Sequence, residues 1–224
     1  MGQGISEVLL YAVGVSISLL SIIAVTLMLF SKRARVNGPM FLLGWGLALA
    51  VVSGLAYVLA DQANASTSTS ASDAIAWGKI AFGVLLLVLA VRNWRNRTAP
   101  GTQPEMPKWM SRIDVLAPVK ALGLALLMAG VNPKNFMLSV AAGAGLAQLG
   151  LSTGDALASL LVFVIVGSLT IAAPVVYYLV GGDDAEARLN EMKDWLAMHN
   201  EAVTAVVFLI FGADLIAKGL PPLT

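Results

Sequence analysis

The sequence of 224 residues contains no cysteine and a single histidine, His199. Disulfides, thiol redox chemistry and thiolate metal sites are therefore excluded, and histidine ligands cannot form a cluster. The sequence also lacks the HExxH motif of metalloproteases and the glycine-rich loops that bind nucleotide phosphates. We therefore expect no enzymatic activity, no metal and no cofactor. Any active transport would have to draw on a gradient or on a partner.

Charged residues are also scarce. They make up 12% of the chain against 58% hydrophobic residues, and the mean hydropathy is +0.82. A soluble domain carries about 25% charged and about 45–50% apolar residues, so this chain could not cover itself with polar surface in water. The net charge of +1 gives no electrostatic reason to expect nucleic acid. Composition and length predict an all-α polytopic membrane protein with a single transmembrane domain over residues 1–224.

Six apolar stretches are long enough to cross a bilayer. A helix needs about 20 mostly apolar residues to span a hydrocarbon core of about 30 Å. Helices are favoured because backbone groups in lipid must pair within their own segment. The predicted spans are residues 5–30, 40–60, 74–91, 117–150, 156–180 and 202–217.

Lysine and arginine are distributed unevenly between the predicted loops. Loops 31–39, 92–114 and 181–201 hold ten of these residues, whereas the opposite side has only Lys218. The excess of positive charge marks cytoplasmic loops. We therefore predict a multi-pass plasma-membrane protein with cytoplasmic basic loops and both termini outside.

Two of the basic loops contain amphipathic patterns. Leu189, Met192 and Leu196 fall on one helical face of residues 185–199. Trp109, Met110 and Ile113 form a similar pattern in the preceding basic loop. Such patterns are typical of helices that lie in the headgroup plane, and we expect both segments to rest there.

The first three and the last three predicted spans form two similar units: repeat one over about 4–97 and repeat two over about 115–218, joined by a cytoplasmic linker at about 98–114. An odd number of spans per unit gives the two repeats opposite orientations, a plan common in transporters. Each unit begins with an overlong helix. Residues 117–150, for example, would extend about 50 Å as one helix. The pattern predicts two inverted three-helix repeats with broken first helices.

Polar residues mark both predicted breaks. Pro133 removes a backbone donor, and Asn132 can pair with groups that the break frees. Lys134 and Asn135 follow at once. An ionisable residue inside a membrane is a functional candidate, although a lysine can also snorkel to the interface. The corresponding place in repeat one holds hydroxyls at 16, 18 and 21. Ser18 and Ser21 either bond to the preceding turn, pack helices closely or line a polar path opposite Lys134.

Three further polar residues are candidates for the transport path. Asp214 could be the carboxylate partner of Lys134 or a proton carrier, but an i,i+4 ion pair with Lys218 is the favoured interpretation. Lys79 and Lys120, at the openings of their segments, either snorkel or contact a substrate headgroup. Glu7 is expected to be exposed.

An ordered series of motifs runs over nearly the whole chain. In chain order it comprises Ser31, Arg33, Ala34, Arg35, Asn37 and Gly38, then FLLGW at 41–45, Trp77, Gly78, Lys79 and Gly83, Arg92, Trp94 and Arg97, PKWM at 107–110, NPKN at 132–135, and Trp195, Leu196 and Gly212. This series resembles the glycolipid-addressing proteins of mycobacteria and related actinobacteria, which include the sulfolipid-addressing proteins and belong to the wider lysine-exporter superfamily.

The resemblance implies a six-span bacterial inner-membrane protein that delivers envelope glycolipids to the cell surface. It also implies an inverted-repeat core in which the break at Asn132, Pro133 and Lys134 lies near the transport path. The chain departs from the family pattern in the first span, where Leu19 and Ser21 stand at the positions of two prolines.

These observations lead to the hypothesis of an exporter of an envelope glycolipid or similar amphiphile. Alternating movement of the two repeats would expose a headgroup site near Lys134 and Asn132 to each side in turn. Two alternatives stay open: an exporter of amino acids or small polar solutes, and a non-transporting scaffold of a larger lipid-export machine. An apolar path would favour lipid, and a closed polar cavity would favour solute. Expected partners are membrane lipids, that larger machinery and a second copy of the chain, which small residues at 143–145 could contact closely.

Overall fold

The computed structural model describes residues 1–65, 69–97, 116–181 and 184–220. This part of the chain is helical and contains no strand. Its helices are α1 (Gly2–Ser16), α2 (Leu19–Leu29), α3 (Ala34–Ala65), α4 (Thr69–Arg95), α5 (Pro118–Gly130), α6 (Pro133–Ala147), α7 (Thr153–Gly181) and α8 (Asp184–Gly219). The predicted all-α class is confirmed.

Four helical segments are long and apolar enough to cross a membrane: Ala34–Gln62, Trp77–Arg95, Thr153–Gly181 and Met198–Gly219. Two bent pairs also qualify if each pair counts as one span, which raises the number to six. Because lipid cannot hydrogen-bond to a backbone, long uninterrupted helices suit these apolar runs. The described chain is therefore a multi-pass helical membrane protein with four to six spans.

Both predicted breaks are present in the structure. The axes of α1 and α2 differ by 57° across Ile17 and Ser18, and those of α5 and α6 differ by 66° across Val131 and Asn132. Pro133 explains the second break, because it occupies the first position of α6. The first break has no proline, and its cause is tertiary. Side chains from other helices bind the carbonyl groups that the break frees.

The two halves interlock through their broken helices. Helix α1 packs on α6 and α7, α3 packs on α5 and α6, and α4 runs along α8. The core lies between these helices and includes the fully buried side chains of Tyr11, Trp45 and Phe163. Trp45 also donates a hydrogen bond from Nε1 to the Gly167 carbonyl oxygen at 3.1 Å, which joins α3 to α7.

Glycines allow the closest helix contacts. A Cβ atom added at Gly83 would lie 2.6 Å from the Gly212 carbonyl oxygen, and one added at Gly212 would lie 2.8 Å from that of Gly83. At Gly143 a Cβ would overlap the Ser53 carbonyl oxygen. Small residues of this kind let membrane helices approach backbone to backbone. Gly143 therefore makes its close contact with α3 within the protomer, and the predicted homodimer stays a prediction.

The prediction of a separate headgroup-lying helix at 185–199 is wrong. This segment is the first part of α8 and continues into the last span without a break. Leu189 and Leu196 are buried, and together with Met192 they line a cavity against α2 and α7. The apolar face of this segment is buried against neighbouring helices and does not lie on lipid headgroups. The second predicted segment, with Trp109, Met110 and Ile113, lies outside the described residues.

Candidate functional site

The centre of the candidate site is the start of α6. The Asn132 side chain caps this helix by accepting a hydrogen bond from the Lys134 backbone N–H at 3.1 Å. Pro133 follows the cap and faces outward, whereas Lys134 and Asn135 point into the core, with 6% and 0% of their surfaces exposed. The break thus places a lysine and an amide inside the bundle, where both require partners.

The Lys134 ammonium group binds the end of the other broken helix. Its Nζ atom donates to the carbonyl oxygens of Gly14 and Ile17, each at 2.8 Å. The last carbonyls of a helix have no partner within it and carry the negative end of its dipole. A cation at the end of α1 therefore gains both hydrogen bonds and charge–dipole attraction. Lys134 does not snorkel to an interface.

Asn135 connects the remaining two helix ends. Its Nδ2 atom donates to Ser18 Oγ at 3.2 Å, at the start of α2, and to the Met128 carbonyl oxygen at 3.0 Å, in the last turn of α5. Ser18 Oγ also lies 3.1 Å from Ser21 Oγ. The predicted residues Ser18, Ser21, Lys134 and Asn135 are thus brought together. Within the described residues the buried Asn135 Oδ1 has no hydrogen-bond partner.

Thr170 completes the support of the first break and was missed by the sequence analysis. Its hydroxyl on α7 donates to the carbonyl oxygen of Ser16, while the Ser16 hydroxyl donates to the Val13 carbonyl oxygen at 2.7 Å. Nothing in the sequence distinguishes Thr170 from other hydroxyls in apolar spans. Its role depends on the packing of α7 against α1, which the local sequence does not encode.

Asp214 belongs to a different cluster. Lys218 Nζ lies 3.5 Å from Asp214 Oδ2 and 3.1 Å from Glu7 Oε1, and it donates to the Tyr11 hydroxyl at 3.1 Å. The favoured i,i+4 pair is therefore confirmed. The alternative pairing with Lys134 is wrong, because the Lys134 ammonium is bonded to carbonyls of α1. Glu7 is not exposed as expected, since pairing with Lys218 draws it partly inside.

The two remaining predicted lysines lie away from Lys134. Lys120 is exposed in the first turn of α5. Lys79 is partly buried, and its Nζ atom donates to Gln148 Oε1 at 3.0 Å, beyond the far end of α6. Lys79 also lines a groove of about 260 Å³ whose walls are mostly apolar. The structure thus separates the broken-helix junction from a second, groove-shaped feature.

Apolar spanning helices around a buried polar junction define a multi-pass membrane protein of the α-helical class. Within that class, the chain matches the model of the family described as Sap, sulfolipid-1-addressing protein, over residues 8–221. The chain therefore belongs to this family, and the resemblance seen in its motifs is confirmed. Comparisons with curated proteins and with solved structures find no match. Membership of the wider lysine-exporter superfamily stays a prediction.

Proposed function

We propose that this protein is a transporter that carries an envelope glycolipid, or a similar amphiphile, from the plasma membrane towards the cell surface. Membership of the sulfolipid-1-addressing family supports a role in lipid delivery. The observation that carries the proposal is the burial of the Lys134 ammonium group at the end of α1. Broken helices whose ends meet inside the membrane are the arrangement that transporters use for substrate sites.

The contacts of Lys134 suggest how the site would open. Two hydrogen bonds join Lys134, in the second half of the chain, to Gly14 and Ile17 in the first half. A movement of the halves apart breaks both bonds and leaves a cation in an apolar region. The anionic or polar head of an amphiphile then replaces the carbonyl groups as acceptor. In alternating access, Lys134 would exchange the carbonyl groups of α1 for the lipid headgroup as its hydrogen-bond acceptor.

We also propose that the two halves are inverted repeats and that the chain has a defined orientation in the membrane. Each half of the chain consists of a bent helix pair followed by two long helices, which supports two inverted three-helix repeats. The basic loops face the cytoplasm of the bacterial cell and both termini face outward, as the lysine and arginine distribution favours. The apolar walls of the groove beside Lys79 favour an amphiphile over an amino acid as substrate.

A complementation experiment tests this function. The gene for this chain is deleted from its natural host, and the protein is restored as wild type, Lys134→Ala or Lys120→Ala at matched protein levels. Cell-surface lipids are then measured by mass spectrometry. We expect one lipid class to disappear on deletion and to return with wild type and with Lys120→Ala, whose side chain is exposed. Lys134→Ala should not restore it.

The other outcomes favour the alternatives. Full restoration by Lys134→Ala, together with stable co-purification of a larger lipid-export complex, would contradict the transporter and support a scaffold. A surface lipid profile unchanged by deletion, with amino acids retained inside the cell, would support an exporter of small polar solutes.

A further inference from the structure

An apolar groove beside Lys79 borders α6, on a face of that helix next to the one that carries Lys134. It lies between α1, α4, α6 and α8, and we call it the α6 groove. Its lining residues are Glu7, Tyr11, Gly78, Lys79, Phe82, Phe136, Met137, Val140, Ala141, Ala144, Gly145 and Leu215. Phe136 is 45% exposed at one end, so the groove opens on the outer surface of the bundle, where acyl chains surround the protein.

The dimensions of the α6 groove match one half of a bilayer. Its α6 wall runs from Phe136, three residues after the break, to Gly145. Nine residues of helix span about 14 Å, close to half of a hydrocarbon core of about 30 Å. The α6 wall of the groove is therefore about as long as the hydrocarbon region of one leaflet is thick, which is enough to hold much of a single acyl chain.

The end of the groove at Lys79 carries a cation that forms no ion pair with a carboxylate of the described residues. Glu7 and Asp214 both pair with Lys218. Lys79 instead bonds to the neutral side chain of Gln148, and no carboxylate of the described residues forms an ion pair with it. The groove thus combines a long apolar wall with a lysine at its end, whose ammonium group has no carboxylate of the described residues within ion-pair distance, although Glu7 lines the same groove. That polarity is complementary to a lipid with an anionic headgroup.

We propose that the α6 groove binds one acyl chain of an anionic membrane lipid, with the phosphate or sulfate of the headgroup on Lys79. The chain lies along Val140 and Ala144 and ends near Phe136. Lipid binding in the groove does not depend on transport. A role for the groove as the last lipid site on the transport path, nearest the outer face of the membrane, rests on the proposed function. A lipid that leaves the junction at Lys134 would enter the groove at Phe136 and reach the interface at Lys79.

Photolabelling tests the site directly. The purified full chain is placed in phosphatidylcholine nanodiscs that contain phosphatidylglycerol with a diazirine midway along one acyl chain, and labelled residues are located by peptide mass spectrometry. We expect label concentrated on α6 between 136 and 145 and on the facing part of α4. Phosphatidylcholine with the same diazirine should label these residues less.

Two matched pairs of variants define the site. Ala144→Trp fills the groove and should abolish label on α6, whereas Val84→Trp, at an exposed position of α4 outside the groove, should leave it unchanged. Lys79→Gln should lower phosphatidylglycerol labelling by about tenfold, the effect of losing one charge-assisted contact. Lys120→Gln should not change it. If Ala144→Trp does not fold, as shown by its elution and melting profiles, the comparison of Lys79→Gln with Lys120→Gln tests the site by itself.

Label spread evenly over exposed apolar residues, or equal labelling by the two headgroups with and without Lys79, would overturn the proposal. The failure of this site is distinguishable from failure of the proposed function. If the groove is unlabelled while Lys134→Ala still abolishes surface delivery, the transporter stands without this site. If the groove is labelled while Lys134→Ala restores delivery, the lipid site stands and the transport mechanism fails.

Discussion

The Nζ atom of Lys134 lies 2.8 Å from the carbonyl oxygen of Gly14, although 120 residues separate them in the chain. The break between α5 and α6 therefore supplies the cation that binds the carbonyl groups freed at the break between α1 and α2. The bend of the first half therefore depends on a side chain of the second half, whereas the bend of the second half has its own local cause in Pro133. The same contact places the one buried lysine of the described residues where relative movement of the halves must disturb it.

Lys134→Met should impair delivery far more than folding. The substitution leaves two carbonyl groups without a donor, at about 1–3 kcal/mol each, but it also removes the cost of burying an ammonium group, which is several kcal/mol. These effects oppose each other, and we expect the free energy of unfolding in detergent to change by less than about 2 kcal/mol. Surface delivery should fall by at least about tenfold. Unfolding of the variant beside an intact Lys120→Met control would show that Lys134 is structural.

Asn135 and Ser18 should be energetically coupled, because the amide joins α2 to α5. A double-mutant cycle of Asn135→Ala and Ser18→Ala, measured by unfolding in detergent, should give a coupling of about 0.6 kcal/mol, the average for hydrogen bonds between membrane helices. Asn135→Ala and Ser53→Ala provide the control, since the Ser53 hydroxyl bonds to Leu49 within its own helix. Equal coupling in both cycles would contradict a specific bond between the breaks.

Gly83→Val should destabilise the protein, because no side chain fits between α4 and α8 at this point. The added Cβ would lie 2.6 Å from the Gly212 backbone oxygen, which cannot move aside as a flexible side chain can. Overpacking of this kind costs about 1–3 kcal/mol, which should appear as a lower melting temperature in detergent. Gly54→Val is the matched control, because nothing lies within 4 Å of its added Cβ. A melting temperature equal to that of the control would refute this packing.

The absence of native cysteine allows a direct test of orientation. Lys32→Cys and Asp61→Cys place single thiols at exposed positions near opposite ends of α3. In intact cells a membrane-impermeant maleimide should label Asp61→Cys, whereas Lys32→Cys should react only after the cells are permeabilised. The reverse pattern would place the basic loops outside and contradict the proposed orientation.

The sequence predicted those features that composition and local chemistry determine. The all-α membrane class followed from the lack of charge, and the break at Pro133 followed from the geometry of proline. Ser18 and Asn135 could be named as polar residues near breaks, but their mutual bond required the packing of α6 against α1. The partners of Lys134 could not be predicted because they are backbone carbonyls, which no side-chain pattern reveals. The first part of α8 was wrongly assigned to the headgroup plane because an apolar helix face has the same sequence pattern whether it packs on lipid or on protein.

Lipid transport that depends on Lys134 is tested most directly by measuring lipid movement by the purified protein in vesicles. Wild type, Lys134→Met and Lys120→Met are reconstituted at equal density into vesicles that contain the lipid extract of the host envelope, with a proton gradient imposed in each direction. Lipids of the outer leaflet are then measured with time. We expect wild type and Lys120→Met to change the distribution of one anionic or glycosylated lipid class between the leaflets, and we expect no such change with Lys134→Met. Movement by wild type no faster than in protein-free vesicles, under either gradient, would contradict lipid transport by this protein.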